Sequence, residues 1–131
     1  MSLVVAVYDG INSRPREPAI KLRLVSERLT TRELIERRVR QEVEEFNASS
    51  HEYFRGLIKP TEAEETLNGY RFRKRVVVDA GVQVQSAFRA FTSNGFMLLV
   101  DDQQIESLDQ PLTLQESSRV TFVKLVPLVG G

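Results

Sequence analysis

Phe96-Met97-Leu98-Leu99-Val100-Asp101-Asp102-Gln103-Gln104-Ile105-Glu106, and then Val120-Thr121-Phe122-Val123-Lys124 running into Leu125-Val126-Pro127-Leu128-Val129-Gly130-Gly131, are the stretches on which the fold turns. A continuous apolar run, a pair of aspartates and a short return element have the composition of a β-hairpin. Val120 and Phe122 alternate with Thr121 and Val123, which is the period of a strand, and that strand leads directly into the tail. Leu108, Leu112 and Leu114 punctuate the polar connection between the two.

Working back from Phe96, Asn94-Gly95 reads as a left-handed helix stop and Asp79 as the cap of a helix that carries Val82, Ala87, Phe88 and Phe91 on its apolar side. Between about residues 47 and 79 periodicity weakens into Asn47-Ala48-Ser49-Ser50, Pro60, an acidic run Glu62 to Glu65 and a basic run Arg71 to Arg75, the pattern of an insertion. Upstream, Thr30 with Glu33 fits a capping box. Leu34, Ile35, Val39, Val43 and Phe46 recur at helical spacing, predicting an amphipathic helix over about Thr31 to Phe46. At the start of the chain, Leu3 to Tyr8 closed by Asp9-Gly10 reads as a strand and turn. After a loop with Pro15 and Pro18, Ile20, Leu22 and Leu24 alternate with Lys21 and Arg23 as a second strand.

Hairpin, helix, hairpin and last strand make an α+β order in which one mixed sheet wraps its apolar face around a helix. At 131 residues and 41% hydrophobic content the chain fits one domain, with the insertion at about 47–79 and a flexible tail over 125–131. Eighteen basic and eighteen acidic residues cancel, which argues against nucleic acid or a membrane surface as partner. The absence of cysteine excludes disulfides and thiol chemistry on this chain. No run reaches the ~20 apolar residues of a membrane span, and the N-terminal run lacks the features of a secretory signal, so the expected location is the cytoplasm.

The segments Met97 to Glu106 and Leu114 to Val123, with the closing Gly130-Gly131, resemble the second half of ubiquitin, and the element order resembles the β-grasp fold. The resemblance covers about Phe96 to Gly131 and, more loosely, Leu3 to Phe46. The insertion and the second helix, which lie between the first helix and the third strand, have no counterpart in ubiquitin. The sulfur carriers MoaD and ThiS share the fold and the terminal glycines, and the uncharged lead Leu125 to Val129 is closer to theirs. The added length resembles bacterial ubiquitin-like proteins encoded beside activating, conjugating and peptidase-like partners.

The resemblance implies a protein modifier and not an enzyme. An activating enzyme of the ubiquitin or ThiF/MoeB type, carrying ATP and magnesium, would adenylate the Gly131 carboxylate. A conjugating enzyme and a deconjugating peptidase would then serve target proteins. Gly130 and Gly131 let the backbone thread a narrow site, and Leu125, Val126, Pro127, Leu128 and Val129 would be gripped by the partner. A sulfur carrier forming a C-terminal thiocarboxylate is the alternative, and a non-transferred ubiquitin-like interaction module the third reading. In that third reading Leu98, Thr121 and Val123 form a possible partner face, with burial in the core as the competing expectation, because a one-residue slip reverses their facing.

Length favours the modifier, and the scarcity of lysine (Lys21, Lys59, Lys74 and Lys124) argues against chains of the protein on itself. No catalytic or metal-binding group stands out. His51 in Ser49-Ser50-His51-Glu52 lacks an orienting partner, Asp101-Asp102 reads as a turn and Glu62 to Glu65 as the start of a surface helix. With no glycine-rich phosphate loop, ATP is expected on the partner and no cofactor on this chain.

Overall fold

Alternating and continuous apolar runs at the two ends of the chain meet in one sheet. The computed structural model describes residues 2–11, 14–49, 52–74 and 76–125. In chain order the elements are β1 (Leu3–Ile11), β2 (Arg14–Leu24), β3 (Arg28–Thr30), α1 (Thr31–Ala48), β4 (Tyr53–Phe54), β5 (Glu64–Thr66), β6 (Gly69–Arg71), α2 (Ala80–Thr92), β7 (Phe96–Val100), β8 (Gln103–Ile105), β9 (Pro111–Thr113) and β10 (Val120–Lys124). Five of the strands form a mixed sheet in the order β2-β1-β10-β7-β8, in which the first and last strands lie side by side and parallel while the other pairs are antiparallel. The class is therefore α+β, as expected.

The N-terminal hairpin differs from its sequence reading. Asp9 and Gly10 do not close β1 but lie within it, because Gly10 pairs with Pro15 on one side and Val123 on the other. Pro15 and Pro18 belong to β2, which tolerates residues without an N–H because it is the edge strand. With Ile11 paired to Arg14, the connection is a two-residue one and not a long loop. Asn12 and Ser13 lie outside the described residues.

α1 begins where expected: the Thr30 hydroxyl accepts from the Glu33 N–H at 3.2 Å and the Glu33 carboxylate accepts from the Thr30 N–H at 3.2 Å. Such a cap contributes about 1 kcal/mol. Its buried stripe is Thr31, Leu34, Ile35, Arg38, Val39, Gln41 and Val43, which covers the inner face of the sheet built from Val5, Val7, Leu22, Leu24, Leu98, Val120 and Phe122. Gln41 also closes the sheet's open side. Its amide donates to the Lys21 carbonyl (2.8 Å) and accepts from the Arg23 N–H (3.0 Å), occupying the edge of β2 as another strand's peptide would.

The insertion folds back onto this core. β4-β6-β5 form a small antiparallel sheet, so the acidic run Glu64-Glu65 is strand and not helix start. Phe54 and Leu57 join the same buried cluster as the main sheet, with the Phe46 ring set edge-on against Phe54 at 5.3 Å. Asn47 holds the returning chain by both sides of its amide, bonded at 3.0 Å to the Val78 N–H and to the Val78 carbonyl. The Asp79 carboxylate caps α2 through the Val82 N–H at 3.1 Å, and Asn94 (φ 62°) makes the left-handed exit. Ala87 and Phe91 are buried and Phe88 half-buried on the apolar side of α2, as expected, but Val82 is half exposed and Val84 is buried in its place. Capping fixes Val82 in the first turn of α2, ahead of the part that reaches the core.

Candidate functional site

The described end of β10, where the tail leaves the sheet, is braced from below by a buried ionic group that sequence reasoning missed. α1 carries Arg38 in the apolar stripe between Leu34 and Glu42, fully enclosed. Its guanidinium donates two parallel bonds to Asp9 of β1, at 2.6 and 2.7 Å, and its Nε donates to Glu42 at 2.9 Å. The guanidinium plane also stacks over Phe122 of β10, 4.5 Å from the ring centre. One side chain thus ties α1, β1 and β10 together at the level of the strand exit. The available signal was positional: on a helical wheel residue 38 falls in the buried stripe, so a charge there demands a buried partner.

Burial opposes the charge on Arg38, but Glu42 and Asp9 together outweigh it and raise its pKa above the ordinary value. Glu42 is also pushed up, first by burial; Arg38 pulls it down, while the nearby Asp9 adds to the rise. One guanidinium between two carboxylates leaves an excess negative charge in a low-dielectric site, and a proton on Glu42 removes it. The folded pKa of Glu42 thus lies above the unfolded value of about 4.3. Its contribution to stability is full below that value and is lost as pH rises through the folded pKa. Glu42→Gln keeps an acceptor for Arg38 and for the Leu57 N–H without the charge. It is expected to match or exceed the parent in urea stability near neutrality and to show a flatter pH dependence from about pH 4 upwards. Parallel stability–pH curves for the two proteins would refute the assignment.

At the exit itself, the Leu125 N–H donates to the Gly95 carbonyl at 3.2 Å, and the Lys124 ammonium lies 5.5 Å from the Tyr70 ring centre. The insertion therefore flanks the start of the tail. Its β5–β6 turn, opened by Gly69 at φ 127°, carries Leu67 fully exposed beside this exit. A concave surface joins Arg55, Gly56, the turn, Tyr70 and Lys124. Neither Leu67 nor Tyr70 carried a periodic signal. Of the tail residues expected to be gripped or activated, Leu125 is half buried, and Val126, Pro127, Leu128, Val129, Gly130 and Gly131 lie outside the described residues, as does His51.

The expected partner face needs a correction. Leu98 is fully buried on the helix side of the sheet, opposite Phe122 and Ile105, and is core. Five consecutive apolar residues in β7 gave no alternation from which to read its facing. Thr121 and Val123 alternate with core residues Val120 and Phe122 and so lie on the far face, but they are themselves buried at the centre of the sheet. Their cross-strand neighbours Tyr8, Met97 and Leu99 are half buried, Val4 is exposed, and Arg119 stacks over the Tyr8 ring at 4.5 Å. The accessible apolar band on that face is Val4, Tyr8, Met97 and Leu99.

No known protein family, curated protein or solved structure matches the chain. Among the described residues no helix is long and apolar enough to cross a membrane.

Proposed function

We propose that this chain is a β-grasp, ubiquitin-like modifier that acts through the Gly131 carboxylate. The observation that carries the reading is the position of β10. It is the central strand of the β2-β1-β10-β7-β8 sheet, parallel to β1, locked to α1 through Arg38 and Phe122, and it passes directly into the glycine-ended tail. A strand held in the centre of the sheet and leading in sequence to two residues without side chains suits a carboxylate that must be threaded into another protein's active site. In the reaction, a carboxylate oxygen attacks the α-phosphate of ATP on the activating enzyme and displaces pyrophosphate. An amine of the target then attacks the acyl carbon, AMP leaves and the amine loses its proton. Whether Gly131 is encoded as the last residue or exposed by cleavage, this chemistry is the same. The exit-flanking hairpin with Leu67, and the band of Val4, Tyr8, Met97 and Leu99, are the surfaces such partners would read.

The sulfur-carrier alternative is favoured by the uncharged lead Leu125 to Val129. In that case sulfur displaces AMP and the product is a thiocarboxylate. Intact mass spectrometry after incubation with an activating enzyme, ATP, magnesium, a sulfur donor and candidate proteins separates the two. Isopeptide-linked species that vanish when Gly131 is deleted are expected. Exchange of one oxygen for one sulfur with no conjugates would establish the carrier instead. If neither product forms while the Gly131 deletion still binds its partners, the interaction-module reading stands.

A further inference from the structure

The tip of the insertion hairpin is both apolar and braced. Leu67, between β5 and β6, is more exposed than any other large apolar side chain among the described residues. Single exposed leucines are common on surfaces, but the turn that carries this one is held by three hydrogen bonds. The Thr66 hydroxyl donates to the Gly69 carbonyl at 2.6 Å and accepts from the Asn68 N–H at 3.2 Å, and Arg55 Nε donates to the Asn68 carbonyl at 3.0 Å. Gly69 lets the turn sit close against the preceding chain, where a Cβ would lie 3.1 Å from the Phe54 carbonyl oxygen. A tip whose backbone is already fixed loses less freedom when a partner covers it.

This tip stands beside the tail exit. Tyr70 of β6 meets Lys124 of β10, the ammonium 3.5 Å from the phenolic oxygen, and Lys124 lines the same groove as Leu67 and Arg55. Six residues, 126–131, follow Leu125, and even fully extended they span no more than about 20 Å. An active site that receives the Gly131 carboxylate is therefore close enough for its protein to cover the hairpin. The groove is lined by two cations, Arg55 and Lys124, and one carboxylate, Glu65. The surface that complements it is an apolar cup for Leu67 with an acidic side chain at its rim.

We propose that Leu67 is the anchor by which an activating enzyme recognises this chain: the enzyme that adenylates Gly131 buries Leu67 in an apolar cup and sets a carboxylate against Lys124. This rests on the reading of Gly131 as the reacting group. Leu67 is a positioning residue, since it touches neither ATP nor the acyl carbon. It sets the affinity for the chain and not the rate of the chemistry.

ATP–pyrophosphate exchange tests it, run on the full chain with magnesium and a panel of activating enzymes of the ThiF/MoeB type. The parent is expected to support exchange that vanishes when Gly131 is deleted. Leu67→Asp is expected to raise the KM for the chain at least about tenfold, with kcat and the circular dichroism spectrum unchanged. Leu67→Met, apolar and of similar volume, is expected to stay within about threefold of the parent, and Lys124→Glu to raise KM about threefold at low salt. Should Leu67→Asp alter the spectrum, Leu67→Ala decides by the same rise in KM. Gly131-dependent exchange with an unchanged KM in Leu67→Asp or Lys124→Glu overturns the proposal and leaves the Gly131 reading standing, even where later transfer to targets is slowed. A Leu67→Met protein as impaired as Leu67→Asp also overturns it, because an apolar cup accepts either side chain. The absence of Gly131-dependent exchange across the panel overturns the Gly131 reading and the proposal with it.

Discussion

Arg38→Ala is expected to destabilise the protein by about 3–5 kcal/mol, a large part of the stability of a domain this size, with urea denaturation followed by circular dichroism as the measurement. The cost arises less from lost attraction than from what remains. Asp9 and Glu42 lose the guanidinium that pairs with both of them, and the Phe122 ring loses the group stacked on it. Arg38→Lys is expected to recover little, because an ammonium cannot fork to both Asp9 oxygens and still reach Glu42. Replacing all three groups with apolar ones (Arg38→Met, Asp9→Val, Glu42→Met) is expected to recover most of the loss, since no uncompensated charge is then buried. An Arg38→Ala protein within about 1 kcal/mol of the parent would show that water reaches the carboxylates and that the network is not a buried one.

Where local chemistry and tertiary position agree, the fold was legible. Thr30 and Glu33 start α1, Asp79 starts α2, Asn94 ends it, and Asp101 and Asp102 adopt the left-handed backbone (φ 49° and 68°) that turns β7 into β8. Elements defined only by their partner were not legible. β3 pairs with β9 through three residues each, and β5 is exposed along its whole length, so neither carries an alternation of its own. Pro15 and Pro18 predict a loop and so a shorter β2, whereas at a sheet edge they cost only unneeded donors. The candidate site follows the same division. The glycines announce themselves in composition, but Leu67 and Tyr70 acquire meaning only when the insertion is seen beside Lys124. Arg38 is legible only by its position in the buried stripe of α1, because nothing local in the sequence names Asp9, 29 residues away, as its partner.

Leu98→Asp is expected to abolish folding under native conditions, while Leu99→Asp, its immediate neighbour, is expected to change stability by no more than about 1 kcal/mol. Leu98 is fully enclosed between Phe122 and Ile105, and the guanidinium stacked on Phe122 is already committed to Asp9 and Glu42, so the substitution combines lost apolar burial with a further buried negative charge. Leu99 is half buried on the opposite face, between Thr121 and Gln104, where a carboxylate can remain hydrated. Equal effects at the two positions would contradict the strand's facing. The tolerated variant then becomes the functional probe. If partners read the band of Val4, Tyr8, Met97 and Leu99, Leu99→Asp will weaken their binding without unfolding the chain, since a charge in an apolar contact must be desolvated with nothing to pair it. If binding is unchanged, recognition must lie elsewhere, and the Leu67 hairpin beside the tail exit is the surface the structure leaves for it.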